Sequence, residues 1–374
     1  MSSDPRPSLR AARRRDRRVY TRSHPLLFAL LAAVRGRPAV RLGRAVLVNG
    51  PGAYRHVLTR IPLDRTAAGT TGGAARELSG GGLLFDQEGA GHRDTRRGLA
   101  GGLGAAGVER LRPVWREVLA RRLAPLGAGG EVDLVPVARE LAGASVRALL
   151  GTEADACALA SAAADAAAAA VRDHLPGPRR PGAARAAAGA AARLEALLAD
   201  GGGDEEAGLR AMLAVAAVNT TVAALPRAAA WCADAGLWAD AADEELRPAL
   251  VGELLRVTAP SPLLPRVAAA DGVVEGCPVR TGDRLILVAR HAAGAHSDPP
   301  DARRPADPAL ARLVFGAGAH ACPGARLAHA QLDDALAALA PYRPAVVRSR
   351  ADRHAALPGW RSLTVRATTS VEAR

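Results

Sequence analysis

The chain reads as one mainly α-helical domain with a small β region, and three features of its 374 residues point there. Apolar residues recur at i, i+3, i+4 spacing over long stretches, above all from His92 to about Asp200. Short alternating strands bounded by turn residues occupy only two places. Neither a linker nor an internal repeat divides the chain, although its length exceeds the usual size of one compact core. The composition, 49% hydrophobic but 3% aromatic, leaves ample material to bury and few rings to shape a pocket.

Taken in order, the dense run Arg13 to Arg18 sits in a basic N-terminus, residues 1–22, expected to be flexible and solvated, with the domain proper at 23–374. "PLLFALLAAV", Pro25 to Val34, is too short to span a membrane and no small-residue cleavage site follows it; it reads as a short amphipathic or buried helix. Ala39 to Leu42 and Ala45 to Val48 alternate about Gly43-Arg44 as a tight hairpin, and a helix begins near Pro51. Gly69 to Gly82, rich in Gly, Thr and Ser, reads as a loop. "VERLRPVWREVLARRLAPL" and "VARELAGASVRALLG" carry helical spacing, whereas "ASAAADAAAAAV" has high helix propensity and little side chain to bury. His174 to Gly182 and "ADGGGDEEAG" break the pattern before a long helix near Leu209 to Ala233, where Pro226 is a source of a kink. A second β stretch runs from Arg266 to Ala289, with turns at Gly276 and at 280–283, and a Pro-rich meander follows from His296 to Pro308.

The formal net charge of +13 draws nucleic acid, anionic membrane or acidic protein. No zinc-finger spacing or RNA-binding aromatic motif accompanies it, so nucleic acid is not an expected partner. Four cysteines at wide, irregular spacing make no disulfide framework, which suits a reduced, cytoplasmic setting with no membrane span.

One of those cysteines lies in "FGAGAHACPG", residues 315–324. Gly316, Gly318 and Gly324 permit positive φ angles and close approach of a flat ligand. A helix starting after Cys322 would aim its free N–H groups and dipole at the sulfur, favouring thiolate. Such a thiolate suits a nucleophile, a zinc ligand or an axial ligand of haem iron. Zinc needs three more donors where only His320 is near, and a nucleophile needs a placed base.

The order Phe315, Gly316, Gly318, His320, Cys322, Gly324, followed by "ARLA", resembles the haem-binding loop of the cytochrome P450 family. The resemblance implies that family's single-domain fold, haem b (iron protoporphyrin IX) with Cys322 as metal ligand, and insertion of one oxygen atom from O2 into a small organic substrate, in secondary metabolism. It extends over nearly the whole chain. Glu253 and Arg256 in "ELLR" resemble the family's E-x-x-R pair, beside the reading as an ordinary i, i+3 surface pair. Arg303 or Arg304, with Arg304 chosen, is the expected meander arginine completing that pair. His92 and Arg96 in "GHRDTRRGL", with Arg266 and His320, are similar to the groups that bind haem propionates.

In "AAVNTTVAAL", Thr220 matches the threonine that hydrogen-bonds dioxygen, while Ala217 and Asn219 stand where the family has a glycine and an acid. An amide does not titrate, so Asn219 is expected either to orient a water or to face a neighbouring helix. The resemblance further implies an acidic ferredoxin-type partner with its reductase, received on arginines such as Arg93, Arg97 and Arg326. Segments Gly69 to Leu84, Leu175 to Gly182 and Val215 to Ala224 are the expected pocket walls. Two other readings stand beside this one. The missing acid fits non-monooxygenase chemistry on the same fold, such as peroxide use, isomerisation, dehydration or group transfer. The third is a non-catalytic binding protein, with or without haem.

Overall fold

The computed structural model describes residues 6–70, 72, 73, 76, 84–174, 182–199 and 204–368. Most of the loop expected at Gly69 to Gly82, and most of the turn expected at His174 to Gly182, lies outside the described residues.

Helices α1 (Arg6–Ser23) and α2 (Pro25–Val34) lead into strands β1 (Ala39–Leu42) and β2 (Ala45–Val48), helix α3 (Pro51–Arg60) and strand β3 (Leu63–Asp64). The hairpin has the expected register, Leu42 opposite Ala45, and turns on Gly43 at φ 61°, which glycine adopts without Cβ strain. Next come α4 (Gly89–Leu103), α5 (Ala105–Gly127), β4 (Glu131–Asp133), α6 (Leu134–Leu150), α7 (Ala156–His174) and α8 (Ala183–Leu198). The long helix is α9 (Asp204–Ala235), followed by α10 (Trp238–Ala242) and α11 (Arg247–Thr258). The β region holds β5 (Leu264–Ala268), β6 (Gly272–Val274), β7 (Cys277–Val279) and β8 (Arg284–Leu287). After α12 (Ala289–Ala292), the meander and α13 (Pro308–Ala311) comes the cysteine loop, then α14 (Ala325–Leu339), β9 (Ala345–Ala351) and β10 (Trp360–Arg366).

The larger sheet has the order β1-β2-β8-β5-β3, with β2 and β8 parallel and the other pairs antiparallel. It joins the N-terminal hairpin to the second β stretch, two regions more than two hundred residues apart in sequence. The antiparallel β3–β5 pair sets Asp64 opposite Val267, so the same register carried one step on faces Arg65 toward Arg266. A second sheet, β4-β10-β9, was not legible as strands.

Helix α9 is the spine of the core, packed by α6, α7, α8, α11 and α1. It is long and apolar enough to cross a membrane by length and composition, but half of its most apolar window is buried inside this fold. Helix α6 starts on Asp133, whose carboxylate accepts from Val135 N at 3.0 Å, and stops at Gly151 in the left-handed region. Within it, a Cβ at Gly143 would meet Ala156 O at 1.9 Å, so the absent side chain lets the start of α7 close onto α6.

The N-terminus departs from expectation. Residues 6–23 form a helix that packs on α9, so the segment is not a free tail. Ala12, Asp16, Val19 and Tyr20, at helical spacing, are all buried. The Asp16 carboxylate pairs with Arg227 Nε at 2.8 Å and Arg290 Nη1 at 3.4 Å. The Tyr20 hydroxyl donates to Thr258 O at 2.6 Å and accepts from Arg227 Nη2 at 2.5 Å. Every partner of Asp16 and Tyr20 in this cluster lies more than two hundred residues away, which is why charge density alone misled.

Candidate active site

The loop carrying Cys322 is fixed by backbone geometry. Gly316 has φ 79° and ψ −165°, a region open in practice to glycine alone. Gly318, at φ 71°, presses against α3: a Cβ there would lie 3.2 Å from Thr59 Cγ2 and 3.3 Å from Leu58 O. Cys322 N donates to Phe315 O at 2.8 Å, which folds the loop back on itself, and Phe315 packs between the main core and His329. Gly324 caps α14, and its N–H donates to the Cys322 sulfur.

Cys322 is open to a water-sized probe, yet burial raises its thiol above the ordinary cysteine value, with Gly324 N–H and Arg96 pulling the other way. The residue is thus accessible while its sulfur sits among protein groups. Desolvation thus outweighs the lowering that the sequence suggested would dominate. A cation bound at the sulfur would reverse that balance, because a coordinating thiol is deprotonated outright.

Basic groups converge beside the loop. Arg96 Nη1 donates to Ala321 O at 2.6 Å, tying α4 to the residue before the cysteine. The rings of His92 and His320 stack at 3.9 Å, and His92 Nε2 is buried with no hydrogen-bond partner among the described residues. Arg266 is buried too, and desolvation followed by the field of Arg65 pulls it down to about 10. Burial, then Arg65, His92, Arg266 and Arg96, pull His320 down to about 3. Desolvation is also the main cause lowering His92, followed by Arg96 and Arg65. These groups repel one another, and Glu88, paired with Arg65 at 3.0 Å, offsets only part of that charge.

Arg65 was not read from the sequence. It belongs to the cluster because of the two-residue strand before it, and the one available signal was an arginine directly following "PLD".

On the central helix, the Thr220 hydroxyl donates to Ala216 O at 2.8 Å. Asn219 Nδ2 donates to Val215 O at 2.7 Å and to Ala163 O of α7 at 3.4 Å. Of the two expected orientations of Asn219, the structure has the one toward the neighbouring helix. Thr221 Oγ1 donates to Gln331 Oε1 at 3.2 Å, and Gln331 Nε2 donates to Ser145 Oγ at 2.9 Å. This buried relay, also absent from the sequence reading, locks α9 to the cysteine helix α14 and to α6.

Glu253 and Arg256 form a buried pair at 2.6 Å and not a surface one. Arg256 also donates to the carbonyls of Gly294, Asp298 and Pro299, and Glu253 accepts from Ala306 N at 3.1 Å and Asp301 N at 3.4 Å. The pair thus pins the meander through its backbone. Arg304 does not join it: its side chain is 89% exposed and bonds Asp301 at 3.3 Å, while Arg303 bonds Asp240. The meander's own N–H groups take the place that a third side chain was expected to fill.

No protein-family model matches the chain. YjiB of Bacillus subtilis (strain 168), which bears a cytochrome P450 name, is 36% identical over 100 residues, 25% of this chain and 24% of that protein. The match thus spans about a quarter of that relative's length. Among solved structures, a mutant of P450 EryK in complex with erythromycin B superposes with TM-score 0.76 at 24% identity, covering 94% of this chain and 98% of that one; EryK is from S. erythraea. P450BioI in complex with a hexadec-9Z-enoic acid ligated acyl carrier protein gives 0.75 at 20% identity over 93% and 99%. CYP109B1 from Bacillus subtilis gives 0.73 at 20% identity over 92% and 99%.

The chain has the cytochrome P450 fold. That fold implies a haem, and the residues of this loop suit one. The site offers a sulfur at the head of a helix, a glycine whose missing Cβ lets the loop lie against its neighbour, a buried histidine nitrogen with no partner among the described residues, and several basic groups drawn together beside them. Two propionates are the anions such a set would compensate.

Proposed function

We propose that the protein is a haem-thiolate monooxygenase that inserts one oxygen atom from O2 into a small organic substrate, with Cys322 as the metal ligand of haem b. The observation that carries this reading is the convergence of Arg65, His92, Arg96, Arg266 and His320 beside a glycine-shaped cysteine loop. His92, Arg96, Arg266 and His320, with Arg65 added, would hold the propionates; Phe315, Gly316, Gly318 and Gly324 set the loop. When bound, haem supplies the oxidising chemistry, which thiolate ligation favours by donating electron density.

This chain's residues supply the rest. The loop's hydrogen bonds and Arg96 hold the Cys322 sulfur in place. The Thr220 hydroxyl, anchored on Ala216 O, presents its oxygen as an acceptor and, after rotation, a donor for a proton at the distal face. Glu253 and Arg256 keep the meander, and with it the approach to the loop, in one conformation.

Electrons would come from an acidic ferredoxin-type protein and its reductase, received on exposed Arg93, Arg97 and Arg326. A small organic substrate is supported by what same-fold neighbours are named with, erythromycin B and a carrier-bound fatty acid; a role in secondary metabolism extends that analogy. A cytoplasmic location belongs to the same proposal.

A second reading is favoured by one observation. Asn219 spends its donors on two carbonyls, so this position holds no titratable relay, which suits chemistry that bypasses dioxygen activation. Substrates found by shifts of the ferric spin state would be tested with a surrogate ferredoxin and reductase, and separately with peroxide. Product formed with NADPH and O2 supports the first reading. Product formed with peroxide alone moves the assignment to the second.

A further inference from the structure

The N-terminal pair of helices carries an outward face that the site above does not use. The residues at every fourth position, Arg10, Arg14, Arg18, Arg22, Leu26 and Leu30, are all exposed. The row spans the α1–α2 junction, where His24 leaves the helical region at φ −140° and ψ 76° while its N–H bonds Tyr20 O and its carbonyl accepts from Phe28 N at 3.1 Å each, so α2 follows α1 after a single non-helical residue. Arg17 on α1, and Pro25, Ala29 and Ala33 on α2, are exposed beside it. Leu26 is 86% exposed and Leu30 46%, among the most exposed large apolar side chains in the described chain. Helix α2 is therefore neither buried nor amphipathic: Leu27, Phe28 and Leu31 face the molecule while Leu26 and Leu30, flanked by small apolar residues, face out.

The same two helices contain a single carboxylate, Asp16, and it is buried against Arg227 and Arg290. No ion pair links the arginine row to a described carboxylate. We infer that this face docks on an anionic lipid surface, with Leu26 and Leu30 entering the headgroup boundary, Ala29 and Ala33 letting the helix lie close to it, and the arginine row lying over the charged headgroups. Exposed apolar side chains adjoining cations that have no ion pair with a described carboxylate are what interfacial attachment needs. Charge decides among occupants: a two-fold-related copy would set the arginine row near itself, where like charges repel, and a nucleic acid would leave the leucines without a partner. The inference stands on this face alone and does not depend on the proposed reaction.

The test is sedimentation of the full-length, haem-loaded protein with vesicles of phosphatidylcholine alone or mixed with phosphatidylglycerol. Binding is expected to the mixed vesicles, to weaken as salt rises, and to be slight on phosphatidylcholine. Leu26→Ser with Leu30→Ser, which keeps every charge, should lower the bound fraction about tenfold, and Arg14→Gln with Arg18→Gln and Arg22→Gln should do the same. Arg303→Gln with Arg304→Gln, an exposed pair elsewhere, should leave binding unchanged. All four native tryptophans are buried, so Leu26→Trp would report from this face alone, and its emission should shift to the blue on the mixed vesicles. The inference is overturned by equal binding to both vesicle types, by a loss in the Arg303 and Arg304 control matching that of the row, by unmoved Leu26→Trp emission, or by a dimer that the leucine pair dissolves.

Discussion

Two buried clusters of arginine lie in this molecule, and they are solved in opposite ways. At the C-terminal half of α9, Arg227 is fully buried. Desolvation works against its charge, but Asp16 and the Tyr20 hydroxyl outweigh it and hold the guanidinium above its ordinary value. The Tyr20 ring also lies 4.7 Å and 4.2 Å beneath the guanidinium carbons of Arg227 and Arg290. Beside the cysteine loop, desolvation and mutual repulsion win, and Arg266 and His320 fall below their ordinary values. A cluster in which attraction wins is architecture; one in which repulsion wins is what a bound anion would steady.

The largest expected effect breaks the satisfied side. Asp16→Ala strands Arg227 in the core and should cost about 3–5 kcal/mol of unfolding free energy, read by denaturant titration. A loss below about 1 kcal/mol would mean that water reaches the cluster and that α1 is not docked as described.

On the other side the same kind of deletion should act differently. Arg266→Leu relieves repulsion while giving up the bond to Pro265 O, so the haem-free protein should lose far less stability than with Asp16→Ala. The haem-loaded protein should lose haem to an acceptor about 10- to 100-fold faster, for the roughly 1.5–3 kcal/mol of a charge-assisted bond. Equal destabilisation of the haem-free protein by both substitutions would erase the distinction between the clusters.

A pH titration sharpens the comparison. Next to the satisfied cluster, His291 bonds Asn49 and is pulled down to about 3 by burial first, then by His296 and Arg290. The unfolded chain takes up that proton near 6.5 and the folded protein does not, so stability falls as pH drops from about 6.5 toward 3. His291→Gln should flatten this fall by up to about 1.4 kcal/mol per pH unit, and an unaltered slope would count against a neutral, buried imidazole.

The smallest effect concerns Asn219. A carboxylate here would face two carbonyl oxygens with no hydrogen to donate, so Asn219→Asp should cost about 1–3 kcal/mol at neutral pH, and less in acid where the carboxyl is protonated. Stability that is unchanged at neutral pH, with better coupling of reductant to product, would show that this side chain turns toward the distal face.

What was legible followed from locality. The cysteine loop, the Glu253 and Arg256 pair and the β1–β2 hairpin each fit within about ten residues, so type and spacing carried them. Arg65 was hidden because a two-residue strand, β3, brings it to Arg266 from two hundred residues away. The same distance hid the docking of α1, whose arginine run looked like a solvated tail while its one aspartate carried the message. Arg304 failed for a different reason: a backbone N–H can replace a guanidinium, and no sequence motif records that exchange.

The central claim is a bond between the Cys322 sulfur and haem iron. Its most direct test is the absorption spectrum of the haem-loaded protein, reduced and saturated with carbon monoxide, beside that of Cys322→Ser. The account predicts the red-shifted Soret band of thiolate ligation in the wild type and its loss in the variant. A wild-type band of the imidazole kind, or a band that survives the substitution, would contradict it.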